Sequence, residues 1–251
     1  MRRTLSGAYQ LPNTIEGVAG NMILRTVRFV PSWLGGLYLR RQKFYQTVGE
    51  TNPEETQGDS MEKWKLISTI CNVQGKSVLD IGCSEGVFCV EAVRAGASRV
   101  VGIDSEVRSL IIASLLARSA GLRVKYRLET FPEVRLKEQF DCVLCLSVLH
   151  HLVSVKDMWA LLSDSHHYDD LLIHREHLRS LRSMVAPGGT CIVEIPYVYR
   201  DEDSKRSVDF TRFGSELVSA GFTNARVVGT WHHAAKNATK KDRVIYASLA
   251  E

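Results

Sequence analysis

The chain has 251 residues, 45% of them hydrophobic and 24% charged, which suits one α/β domain with an appendage and excludes two full enzyme domains. Its six cysteines are scattered through a sequence able to bury a large core, which excludes a small disulfide-stapled fold and suits a reducing cytoplasm. The net charge of +4 is uneven: residues 1–49 carry seven basic side chains against Glu16 alone, so the remainder is slightly acidic.

Residues 1–59 are expected to form a helical lid or cap. Apolar residues crowd Met22–Tyr45, and Pro31 with Gly35-Gly36 predicts two short helices joined by a hinge. Thr51–Asp59 is polar and reads as a linker. From Ser60 onward strands and helices alternate. Ser77–Gly82 is a short apolar run ended by glycine, Glu85–Ala95 a helix and Arg99–Asp104 a second strand. Ser109–Ala120 is a helix stopped by Gly121. Val124–Leu128 and Phe140–Val148 follow as strands. A helical stretch ends at Ala186–Gly189, before the strand Thr190–Ile195. Phe210–Ala220 is helical, and Ala225–Thr230 and Val244–Ala247 close the chain as a hairpin. Continuous apolar strands separated by helices predict a doubly wound, mostly parallel seven-stranded sheet over residues 60–251, with an antiparallel C-terminal hairpin.

Doubly wound sheets bind ligands beyond the carboxyl ends of their strands. Here the first strand runs through Asp80, Gly82, Ser84 and Gly86 into a helix, and the second ends in Asp104. An acid at that second position accepts hydrogen bonds from ribose hydroxyls in nucleotide-binding folds. A dinucleotide loop would show three spaced glycines that admit a pyrophosphate. This loop instead places Glu85 where a diphosphate would sit, which argues for a ligand with a ribose and no phosphate. VLDIGCSEGVF followed by VVGID resembles the first two motifs of the class I S-adenosylmethionine-dependent methyltransferases. FDCVLCLSVLHHL and MVAPGGTCIVEI are similar to that family's motifs around the fourth and fifth strands. The stretch from Trp64 to LSVLHHL looks somewhat like the branch that holds tRNA wobble-uridine carboxymethyl-transferring enzymes and small-molecule methyltransferases. The resemblance implies S-adenosyl-L-methionine as cofactor. Gly82, Ser84 and Gly86 would line its methionine part, Asp80 would act near its amino group, and Asp104 would hold the ribose. Glu129 and Thr130 would lie beside the adenine.

Methyl transfer needs an aligned nucleophile, and a base only where the acceptor must lose a proton. His150 and His151 follow the fourth strand at the expected acceptor rim and are the candidate bases, with His151 favoured. Glu194 and Tyr197, at the end of the fifth strand, are candidate acceptor contacts. Asp170, His174 and His177 share a helical face, yet the segment His166–His177 reads as a solvated insertion and no metal is expected. Cys142 and Cys145 fall three apart on a strand and so on opposite faces, which points to core packing. His232-His233 reads as surface. The expected reaction is methylation of an oxygen, less readily a nitrogen, of a small or lipid-linked metabolite. RNA is the alternative acceptor, gripped by the basic N-terminal segment with Trp33, Tyr38, Phe44 and Tyr45. Peripheral membrane contact through the same segment is the third expectation on partners. The sequence leaves the oligomeric state open.

Overall fold

A computed structural model describes residues 15–27, 29–39, 60–152, 172–198, 210–233 and 241–250. The helices are α1 (Ile15–Val27), α2 (Ser32–Leu39), α3 (Ser60–Ile70), α4 (Val87–Arg94), α5 (Val107–Ser119), α6 (Leu149–Leu152), α7 (Leu172–Ser183) and α8 (Phe210–Ser219). The strands are β1 (Ser77–Ile81), β2 (Arg99–Asp104), β3 (Lys125–Leu128), β4 (Phe140–Leu146), β5 (Val185–Val198), β6 (Phe222–His233) and β7 (Lys241–Ala250). They form a seven-stranded mixed sheet in the order β3-β2-β1-β4-β5-β7-β6. The expected architecture is the observed one. By packing, the chain divides into one unit of residues 1–64 and 73–136 and another of 65–72 and 137–251.

In the first unit β1, β2 and β3 pair in parallel, with Asp80 beside Gly102 and Asp104 beside Leu128. Val78, Leu79, Val101 and Ile103 are essentially inaccessible, because layers cover both faces of the strands. A Cβ on Gly102 would come within 2.9 Å of the Cys83 and Cys89 sulfurs and of the Tyr126 ring. That missing side chain is what lets the β1–α4 turn press onto β2.

The N-terminal helices pack on this unit. Val27 and Leu39 form a buried cluster with Ile112 and Leu115 of α5. Gly20 lets α1 approach β3 closely, since a Cβ there would meet Leu128 Cδ2 at 2.3 Å. The Asn21 amide then pairs with the Leu128 backbone at both ends: Nδ2 donates to its carbonyl at 3.2 Å, and its N–H donates to Oδ1 at 3.1 Å. Because β3 is an edge strand, the side chain of Asn21 stands in for a missing neighbour. The hinge lies at Pro31, as expected, but α2 continues through Gly35. A Cβ at Gly35 would touch Leu115 Cδ2 at 3.0 Å, so close packing and not chain reversal calls for glycine there.

In the second unit β4 pairs with β5 in parallel, and β7 pairs with β5 and β6 in antiparallel. The hairpin strands are longer than the sequence suggested. The expected helix end at Ala186–Gly189 is corrected: α7 stops at Ser183 and β5 begins at Val185. Register jumps from Phe140 opposite Val185 to Cys142 opposite Thr190, so Pro187-Gly188-Gly189 is an excursion within the strand. A proline without an N–H and Gly188 at φ 71° make that excursion accessible. Phe213 packs edge-on against Tyr246 with ring centroids 4.8 Å apart, and Arg175 of α7 pairs with Glu216 of α8 at 2.9 Å. All six cysteines are buried, and none is in a disulfide.

Candidate functional site

The turn after β1 is built by three residues in the left-handed region, Gly82 (φ 69°), Ser84 (φ 50°) and Gly86 (φ 78°). Its backbone is bonded to β2, the N–H groups of Gly82 and Cys83 both donating to the Ile103 carbonyl at 2.8 and 3.0 Å. Gly86 occupies the N-cap of α4 with no side-chain cap. A Cβ on Gly86 would fall 2.4 Å from the Tyr126 hydroxyl, so the position tolerates no side chain on either conformational or steric grounds. That hydroxyl is buried and has no hydrogen-bond partner among the described residues.

Asp104 locks the turn to the end of β2. One carboxylate oxygen accepts the Ser84 N–H at 2.8 Å and the other the Glu106 N–H at 2.9 Å. Burial raises its pKa, while the backbone amides of Glu106, Ser84 and Ser105 pull in the opposite direction. Asp80 is 1% exposed, and burial pushes its pKa up to about 7. The Cys89 thiol, donating at 3.4 Å, lowers it, and the nearby Asp104 adds to the rise. Glu85 is also buried. Neither residues 80–86 nor residues 102–106 include a basic side chain. The carboxyl end of these strands is therefore acidic, suited to a cationic ligand bearing hydroxyls and unsuited to a polyphosphate.

Glu129 and Thr130 follow β3 directly, and both are buried. The Glu129 carboxylate is ion-paired with Arg127 and accepts the Arg135 N–H at 2.9 Å. The sequence showed an acid here but not that two local groups hold it. The first unit thus brings together Asp80, Gly82, Ser84, Gly86 and Asp104 at neighbouring strand ends, with Glu129 and Thr130 just after the next strand.

In the second unit Glu194 is inaccessible on β5, beside Leu146 of β4. Ser147, at φ 58°, donates its hydroxyl to the Glu194 carboxylate. The sequence reading missed Ser147; a serine opposite a strand-borne acid in the adjoining motif was the available signal. His150 and His151 lie on α6, with His151 exposed at the surface of its unit. The His150 side chain lies outside the described residues. Tyr197 pairs through its backbone with Asp242, but its side chain, like those of His174, His232 and His233, also lies outside them. Asp170 and residues 153–171 are likewise outside. Among the described residues no cluster of three metal-ligating side chains occurs.

Residues 78–168 match the family described as a methyltransferase domain. A ubiquinone biosynthesis O-methyltransferase of Bradyrhizobium diazoefficiens is 40% identical over 81 residues, 32% of each protein. A tRNA U34 carboxymethyltransferase of Alcanivorax borkumensis is 32% identical over 155 residues, 60% of this chain and 42% of the relative. The chain therefore spans less than half the length of these curated relatives. The N-methyltransferase NodS of Bradyrhizobium japonicum, solved with S-adenosyl-L-homocysteine, shares the fold at a TM-score of 0.51 and 19% identity, covering 80% of this chain and 89% of NodS. These likenesses show a methyltransferase domain over residues 78–168 and a fold shared with NodS, and the turn with its paired acids lies within that domain.

Proposed function

We propose that the chain transfers a methyl group from S-adenosyl-L-methionine to an oxygen of a small or lipid-linked acceptor. The observation that carries this reading is the acidic turn: Asp80 buried under a glycine loop that Asp104 ties to the next strand. A cofactor with an ammonium, a sulfonium and a ribose matches that donor set, whereas a dinucleotide does not. In this reading Gly82, Ser84 and Gly86 bring the backbone against the methionine part. Asp80 faces its amino group, Asp104 receives the ribose hydroxyls, and Glu129 with Thr130 lies beside the adenine. When bound, the cofactor supplies an electrophilic methyl carbon. The protein's own work is to align the acceptor and, for a hydroxyl acceptor, to take its proton. His151 is the proposed base and His150 its neighbour. Glu194 and Tyr197 are proposed acceptor contacts, with Ser147 holding the Glu194 carboxylate in one orientation. Residues 60–251 carry the transfer chemistry and residues 1–59 are an appendage.

Calorimetric titration with S-adenosylmethionine, S-adenosylhomocysteine and NAD tests the cofactor: the first two should bind at micromolar concentration and NAD should not. Transfer of labelled methyl to a ubiquinone-precursor phenol, compared with bulk tRNA, tests the acceptor class. The tRNA-acting relative aligns over more of this chain than the quinone-pathway one, which supports RNA as the second reading. His151→Ala should lower turnover about 100-fold with cofactor affinity unchanged. A loss of affinity alone would remove His151 from the role of base.

A further inference from the structure

Among the described residues, the N-terminal helices carry most of the exposed large hydrophobic side chains. Of eight large hydrophobic residues exposed among the described residues, five lie between positions 22 and 38: Met22, Ile23, Phe29, Leu34 and Tyr38. Met22 is 61% and Phe29 72% exposed. On α1 Met22, Ile23 and Thr26 are exposed while Gly20 and Val27 pack inward, and Phe29 is exposed just past the helix end. On α2, Leu34 and Tyr38 are one turn apart on the outer side.

A cleft of about 890 Å³ adjoins these exposed residues, bounded by α1, the end of α5 and β3. Arg25, Arg118, Arg123, Lys125, Arg127 and Arg135 line it, and no acid does so among the described residues. Arg118 is committed to the Val27 carbonyl and Arg127 to Glu129. Arg25 and Arg123 are exposed and have no carboxylate partner among the described residues. Met22 and Leu24 line the same cleft, so apolar and basic groups meet there.

We propose that this face of α1 and α2, with the basic cleft beside it, docks on an anionic bilayer. Exposed methionine, isoleucine and leucine gain by leaving water for the acyl boundary, and the adjoining arginines meet lipid phosphates. An RNA surface would present stacking aromatics between the basic groups, and the exposed Phe29 and Tyr38 are not among the residues lining the basic cleft. No described helix is long and apolar enough to cross a membrane; the contact proposed is with the surface. It is independent of the methyl-transfer reading, and its test uses no cofactor.

The full chain is sedimented with vesicles of phosphatidylcholine alone and of phosphatidylcholine containing phosphatidylglycerol, at low and moderate salt. Binding should require phosphatidylglycerol and weaken as salt rises. R25E/R123E should lower the partition coefficient by at least roughly 20-fold, at about fivefold per basic residue removed. M22S/I23S/F29S should lower it by at least tenfold, both variants melting as the parent does because the changed side chains are exposed. Absence of sedimentation, or binding that neither variant alters, overturns the proposal. So does salt-sensitive binding of a single-stranded RNA 20-mer in place of vesicles. Self-association that M22S/I23S/F29S abolishes, without vesicle binding, also overturns it by assigning the face to a second copy.

Discussion

Two buried acids borne on strands, one in each unit, show different ways of keeping a carboxylate out of water. Asp80 is surrounded by the thiol of Cys89, a second acid at Asp104 and a glycine turn, and its pKa rises to about 7. Glu194 is equally inaccessible but has a hydroxyl dedicated to it, from Ser147 just after the neighbouring strand. The first arrangement leaves ionisation close to balance at neutral pH, so a cationic ligand can tip it. The second holds an acid by a local hydrogen bond. Asp80 is met by a weakly donating thiol, and Glu194 by a hydroxyl.

The largest effect that would sharpen this contrast is on stability against pH. The folded Asp80 titrates near 7 and an unfolded aspartate near 3.8, so between those values the folded state holds a proton that the unfolded chain has lost. Stability should therefore be highest below about pH 4 and fall as pH rises through 7, by on the order of 4 kcal/mol at most from this group. Urea unfolding at pH 5 and pH 8 measures the slope, and Asp80→Asn should flatten it. An unchanged slope would mean that Asp80 is ionised throughout and the contrast fails.

Next in size is Gly86→Ala, which puts a Cβ in a left-handed position and against the Tyr126 hydroxyl. It should cost about 2–3 kcal/mol. Tyr126→Phe in the same chain should recover the steric part; if it recovers nothing, the turn rests elsewhere. Asp104→Ala releases the amides of Ser84 and Glu106 and should weaken S-adenosylmethionine binding by about 30-fold, read by calorimetry. Smallest is Ser147→Ala, which removes the dedicated donor of Glu194. A loss of about 1 kcal/mol in unfolding free energy is expected, with cofactor affinity unmoved. A drop in affinity instead would tie Glu194 to the cofactor and dissolve the distinction between the two acids.

What the sequence made legible follows the same division. The cofactor turn is local: glycines at left-handed positions and an acid at the next strand end announce themselves within 25 residues, and parallel register then places Asp104 at the turn. Contacts across long separations were not legible. Nothing near Asn21 indicates that its amide pairs with Leu128, 107 residues away, or that Gly20 is glycine because of the same leucine. Glu129 was visible as an acid after β3, but its engagement by Arg127 and Arg135 depends on how the following segment folds back. Gly35 read as a hinge because glycine more often marks flexibility than close packing, and α5 decided otherwise.

The pairing of Asn21 with the edge of β3 bears on how that edge is closed to further strands. An uncovered edge strand is a template on which other chains extend the sheet, and here a single carboxamide occupies the bonding positions of Leu128. A chain shortened to begin after Val27 would lose more than an accessory helix. It would present an open β-edge next to a newly uncovered apolar patch at Ile112 and Leu115, and copies would polymerise strand to strand. On this view α1 acts as a solubility guard for the sheet.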